Sequence, residues 1–204
     1  METDQSTYRT VDRGGSVTLM IGGSKFIATI SSADSITRAE TFIENVQEEY
    51  SDATHHVPAY RIRADPFREW ANDNGEPAGS AGKPILNVLT GERLENVVVV
   101  VTRYFGGTKL GYGGLVGAYS DATKAVIDAV DIVVERPHDI IHLQSAYDDS
   151  GTVRRILESE RVEFDAEYSE TVTFMVRVPT ADRVALMSRI KNATAGRIEG
   201  AEHD

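Results

Sequence analysis

Apolar positions along this chain fall into two periodicities, separated by glycine-rich and turn-rich stretches. From Ser16 to Ile30 two short apolar stretches flank Gly22 and Gly23, the pattern of a hairpin turning at the glycines. Ile36, Ala39, Phe42, Ile43, Val46 and Tyr50 then recur at helical spacing, with Thr37 and Glu40 placed for a capping box. His55 to Ile62 reads as a strand. Turn formers crowd the stretch from Arg63 to Lys83, in Asp65-Pro66, Asn72-Asp73-Asn74-Gly75 and Glu76-Pro77, so a long loop is expected there. Val97 to Val101 is an unbroken β-branched run, as in a strand covered on both faces. A glycine cluster follows it, and Leu115, Ala118, Tyr119, Ala122, Ala125, Val126, Ala129, Val130 and Val133 then mark a long amphipathic helix.

Pro137 separates this part from a second pattern. A strand through Ile140 to Leu143 precedes a helix capped near Asp148 to Ser150 and carrying Val153, Ile156 and Leu157. Two strands follow, and Val172, Phe174, Val176 and Val178 in the second give the clearest period-two alternation of the chain. A helix around Val184, Met187 and Ile190 and a last strand near Ile198 complete the order βαββαβ, the split βαβ of ferredoxin-like domains. The expected fold class is therefore α+β in two domains, residues 1–136 and 137–204.

Composition narrows the chemistry. The 204 residues include no cysteine, which removes disulfides, thiolate metal sites and thiol catalysis. The start, Met1 to Thr10, is polar, and no apolar run approaches the roughly 20 residues that span a bilayer, so a cytoplasmic protein without a membrane partner is expected. A net charge of −11 argues against a general nucleic-acid surface and against DNA specificity, because such binding needs Lys and Arg to displace counterions. Lysines are few while carboxylates are spread throughout, a balance that also suits an acidic protein from a halophile.

The most informative segment is Arg103-Tyr104-Phe105-Gly106-Gly107-Thr108-Lys109-Leu110-Gly111-Tyr112-Gly113-Gly114. Glycines before a helix allow close backbone approach and leave amides free, an arrangement that holds anions, with Arg103 and Lys109 supplying charge. A tight turn whose glycines only supply positive φ is the plainer reading. The segment is neither a P-loop, since Tyr112 stands where lysine is needed, nor a dinucleotide fingerprint, since Val116 stands where the third glycine is needed.

The long loop sets Glu76, Ser80 and Lys83 among flexible residues. Ser80 resembles a nucleophile-elbow serine out of its strand–helix context. Asp73 and Glu76 have the oxygens for a hard cation, although a solvated acidic loop is the ordinary alternative. His55 and His56 alternate faces on a strand and share no ion, and His138 and His142 lie too far apart on theirs. Phe67 and Trp70 are expected to anchor the loop to the core. No metal or cofactor is implied.

The loop Gly75-Glu76-Pro77, the strand Val97 to Thr102, Arg103-Tyr104-Phe105-Gly106-Gly107, Lys109-Leu110-Gly111 and Gly113-Gly114-Leu115, in that order, resemble the YigZ/IMPACT family over most of the first two-thirds of the chain. The resemblance implies an α/β two-layer sandwich like the second domain of a small-subunit ribosomal protein. It implies a ferredoxin-like tail similar to the last domain of elongation factor G. Eukaryotic members are similar to regulators of translation under amino-acid stress. The positions carried over are Glu76, Lys83, Arg103, Tyr104, Gly106, Gly107, Gly111, Gly113 and Gly114. Three residues depart from the family pattern: Asn74 replaces the second of two aspartates, Val57 a cysteine, and Gly117 a basic residue. Two functions fit this reading. One is a non-enzymatic regulator that docks ribosome, structured RNA or a translation factor through the Gly-rich face; the other is an enzyme acting on a small phosphorylated or peptide-like substrate at Glu76 and Arg103.

Overall fold

A computed structural model describes residues 7–64, 66–198 and 200–202; the described residues of 8–135 form one compact unit and those of 136–202 belong to a second. Asp65 of the Asp65-Pro66 turn and residues 1–6 of the polar start therefore lie outside the described residues. The first unit runs β1 (Tyr8–Val11), β2 (Gly15–Ile21), β3 (Ser24–Ser32), α1 (Ile36–Glu49), β4 (His55–Ile62), β5 (Arg68–Ala71), α2 (Gly82–Gly91), β6 (Val97–Tyr104), α3 (Gly111–Asp128) and β7 (Ile132–Glu135). The second runs β8 (His138–Ser145), α4 (Tyr147–Glu160), β9 (Glu163–Tyr168), β10 (Val172–Pro179), α5 (Arg183–Ala193) and β11 (Gly200–Glu202).

In the first unit a five-stranded antiparallel sheet has the order β2-β3-β6-β4-β5. Its first hairpin turns at Gly22 (φ 56°) and Gly23 (φ 83°), between the paired residues Ile21 and Ser24. Positive φ at both loop residues matches the twist of the strands, and glycine adopts it without a Cβ clash. The valine run of β6 forms the central strand. Val97, Val99 and Val101 face the core beneath α2 and α3, while Val98 and Val100 face Ala39, Ile43 and Val46 of α1. α2 and α3 pack on one face of the sheet and α1 on the other.

Three local features differ from the sequence reading. Ser35 caps α1 by accepting from the Arg38 amide at 3.3 Å, so the helix starts a residue or two before Thr37 and no capping box at Thr37 is needed. The stretch from Arg63 to Lys83 is not all loop: β5 pairs with β4 inside it and α2 begins at Gly82. The helix after the glycines stops at Asp128, and Val133 belongs instead to β7, which pairs with β1.

The second unit is a four-stranded antiparallel sheet of order β11-β8-β10-β9. With the chain order βαββαβ this is the ferredoxin-like arrangement. Val172, Phe174, Val176 and Val178 of β10 are buried against Val153, Leu157 and Ile190 of α4 and α5. Asp148 and Asp149 lie inside the first turn of α4, which Ala146 precedes, and Arg197 donates to Asp149 through Nε at 2.8 Å and Nη2 at 2.7 Å. Ile198 is buried ahead of β11 instead of lying in it.

Candidate functional site

The loop before α2 is folded around Asp73. Its carboxylate accepts from the amides of Gly79 at 2.7 Å, Gly82 at 2.8 Å and Ala81 at 3.1 Å. The last two are the amides of the first helical residue of α2 and of its N-cap residue, Ala81, which offers no side-chain cap of its own, so Asp73 supplies the cap from outside the helix. Burial pushes the Asp73 carboxyl up, but the three amide bonds outweigh it and leave the group below its usual value.

That loop turns Glu76 inward. Its Oε1 accepts from Arg103 Nη1 at 2.6 Å and from the Tyr119 hydroxyl at 2.7 Å. Tyr119 is fully buried on α3, and burial first, then the bond to Glu76, holds its hydroxyl far above the usual tyrosine range. Arg103, at the end of β6, also donates through Nη2 to Ser24 Oγ at 3.2 Å, with its guanidinium over the rings of Phe26 and Phe105. Ser24 Oγ accepts a second bond, from the Gly106 amide at 3.2 Å. Glu76, Arg103, Ser24 and Gly106 thus form one chain that ties the loop before α2 to the glycine turn after β6. Arg103 Nε and Ser80 Oγ are buried with no hydrogen-bond partner among the described residues.

The neighbouring histidines are engaged separately. His55 Nδ1 lies 2.7 Å from the Asn74 carbonyl and its Nε2 is 3.9 Å from Glu76 Oε1. His56 Nδ1 lies 3.3 Å from Thr102 Oγ1, and burial, with a smaller contribution from His55, lowers its pKa. Among the described residues no cluster of three His, Asp or Glu is placed to hold a metal ion. Trp70 stacks on Tyr60 at 5.3 Å and Phe67 lies under the Arg61 guanidinium, so both rings are anchored while remaining 41% exposed.

The glycine segment divides by what surrounds it. A Cβ at Gly106 would lie 1.8 Å from the Gly23 carbonyl oxygen, so this glycine is required by backbone packing against the hairpin. Gly107 and Gly111 take positive φ of 86° and 71°, yet Cβ atoms there or at Gly113 would meet nothing within 4 Å. At Gly114 a Cβ would meet only Leu110, at 3.0 Å. Gly107, Gly111, Gly113 and Gly114 are exposed together with Phe105, Lys109 and Tyr112, at the start of an α3 that no side chain caps. Tyr104 stands apart: its hydroxyl donates to Asp52 at 2.6 Å, a bond that pushes its pKa up to about 12, and Lys25 sits over its ring. Lys83 is exposed on α2, beside a groove that Tyr112, Ser120 and Lys124 of α3 also line.

The residues named from the sequence are therefore split. Glu76 and Arg103 meet in the interior; Lys109 and the exposed glycines lie on the surface; Lys83 lies beside the groove that Tyr112 lines, and Tyr104 is engaged elsewhere, with Asp52 and Lys25. Tyr119 and Ser24 carry no site signal in the sequence, because a tyrosine at helical spacing reads as core and a serine after a hairpin turn reads as turn. Phe105 and Tyr112 lie within the glycine segment itself and were legible only as its neighbours.

The Impact N-terminal domain matches residues 22–127, and a domain of unknown function, DUF1949, matches residues 143–197. The IMPACT family member YvyE of Bacillus subtilis (strain 168) is 34% identical over 192 residues, covering 94% of this chain and 88% of its own. The IMPACT family member YigZ of Escherichia coli (strain K12) is 30% identical over 179 residues, covering 86% and 88%. A crystal structure of a hypothetical protein superposes with a TM-score of 0.76 at 28% identity over 98% of each chain. With both domains matched in order, and with relatives aligned over nearly its whole length, this chain belongs to the IMPACT family.

Proposed function

We propose that the protein is a translation-linked regulator that docks a ribosome, structured RNA or a translation factor through the exposed face of Gly107, Lys109, Gly111, Gly113 and Gly114. The translation link rests on family membership, since the family's eukaryotic members are similar to regulators of translation. A protein of Saccharomyces cerevisiae, named an IMPACT homolog, is 31% identical to this chain over 112 residues, covering 52% of this chain and 43% of its own.

The observation that carries the docking reading is the inward turn of Arg103 onto Glu76. With Oε1 held by a guanidinium and a buried tyrosine hydroxyl and its side chain only 4% exposed, Glu76 is placed as a structural partner instead of a solvent-facing acid or base. What remains on the surface is backbone without side chains, an uncapped helix start, one ammonium and two exposed aromatic rings. Amides at a helix start and Lys109 suit a phosphate or carboxylate, while Phe105 and Tyr112 suit stacking. Among the described residues no hydrogen-bonded pair of nucleophile and base accompanies them.

Co-sedimentation of the purified protein with ribosomes tests this reading. Association that Lys109→Glu weakens supports it. No association at any salt, together with turnover of a phosphoester or peptide that Glu76→Gln abolishes, supports the enzyme instead.

A further inference from the structure

The edges of the two sheets are not protected alike. A strand at a sheet edge offers unpaired amides and carbonyls to any other strand, and folded proteins normally blunt such edges with charge, proline, a bulge or brevity. β5, one edge of the larger sheet, has four residues and carries Arg68 and Glu69. β9, an edge of the smaller sheet, carries Glu163, Asp165 and Glu167, and β11 at the other edge has three residues. β2 has none of these devices. Its seven residues, Gly15-Ser16-Val17-Thr18-Leu19-Met20-Ile21, include no charge and no proline, and its pairing with β3 runs from Gly15↔Ile30 to Ile21↔Ser24 without a bulge. In a chain that is 26% Asp, Glu, Lys and Arg, seven consecutive uncharged residues on an edge that no other described strand pairs stand out.

The side chains of β2 are also incompletely covered. Val17, Leu19 and Ile21 pack against the core beneath α3 but stay only partly buried, and Met20 on the opposite face is 66% exposed. We propose that the β2 edge is a self-association surface, on which β2 of a second copy of this chain adds antiparallel about a two-fold axis at Thr18. That register is self-complementary. It sets Val17 opposite Leu19 and Gly15 opposite Ile21 on the core face, and Thr18 opposite Thr18 and Ser16 opposite Met20 on the other. Apolar residues meet apolar residues and no like charges face each other, so the chain's net charge of −11 is kept out of the contact. A charged extended segment of another protein would find no counter-charge on this strand. Seven paired residues make a small contact, so the dimer is a concentration-dependent one.

Sedimentation equilibrium of the full chain tests this, with mass measured against concentration. The weight-average mass should rise from 22.3 kDa toward twice that value as concentration increases. Thr18→Lys, at an exposed position, sets two ammoniums directly opposite and should hold the chain monomeric at all concentrations, with thermal unfolding little changed. The double variant Ser16→Glu/Met20→Lys sets each new carboxylate opposite a new ammonium of the other copy, and should dimerise at least as well as the unaltered chain. A monomer at every concentration up to about 1 mM overturns the proposal. So does a dimer that Thr18→Lys leaves intact, because association would then use another surface. If the double variant is monomeric at low salt while the unaltered chain dimerises, the two-fold register at Thr18 is wrong.

Discussion

Arg103 Nη1 donates to Glu76 Oε1 across 2.6 Å, and the two side chains are only 5% and 4% exposed. Breaking such a pair leaves one charge buried without its partner, at a cost of about 3–5 kcal/mol. Arg103→Ala and Glu76→Leu should each lower stability by that order in urea denaturation. The double change Arg103→Met/Glu76→Leu should recover much of the loss, because it leaves no orphaned charge. Losses below about 0.5 kcal/mol in both single variants would show that the pair does not hold the loop.

Asp73 gives a prediction in pH. Its folded-state pKa is depressed, so its stabilisation is complete above the unfolded value of about 3.9 and is lost as the pH falls through the lower folded value. Asp73→Ala should cost about 1–2 kcal/mol at neutral pH through the lost cap of α2. It should also flatten the acid limb of the stability curve below pH 4. An acid limb unchanged by the substitution would mean that other carboxylates set it.

The glycines separate scaffold from surface. Gly106→Ala forces a Cβ against the Gly23 carbonyl and should destabilise the hairpin contact by at least about 1–3 kcal/mol. Gly113→Ala, within α3 and in open space, should instead stabilise by about 0.5–1 kcal/mol. If the face docks a partner closely, the same Gly113→Ala weakens binding while raising the melting temperature. A variant that gains stability and keeps full binding would remove Gly113 from the contact.

Residues 1–136 and 137–204 should also separate as folding units. Glu135 and Arg136 are exposed, whereas the Pro137 carbonyl accepts from the Thr180 amide at 2.9 Å and so belongs with the second unit. A glutamate-specific protease should therefore cut after Glu135 and leave two folded fragments. Cleavage confined to the termini would contradict that boundary.

Much of the fold could be read from periodicity. The hairpin at Gly22 and Gly23, the doubly covered valine strand and the alternation of β10 each rest on local signals that packing did not override. What escaped reading depended on contacts far apart in sequence. β1 and β7 are four residues each and form by pairing across the length of the first unit. α2 is short, with a proline at its third position and glycines at both ends, so its helical pattern is weak and its start is set by Asp73 from outside. Glu76 and Arg103 were named as chemically conspicuous, but their spacing of 27 residues says nothing about burial. Only the folded loop shows that they face each other instead of solvent.

Ribosome co-sedimentation across a salt series most directly tests whether the glycine face docks a translation partner. The unaltered protein should pellet with ribosomes, and Lys109→Ala should weaken the association and lower the magnitude of its log-affinity against log-salt slope by about 1, as expected for one lost phosphate contact. Association that neither Lys109→Ala nor Gly113→Ala changes, or no association at any salt, would contradict the account.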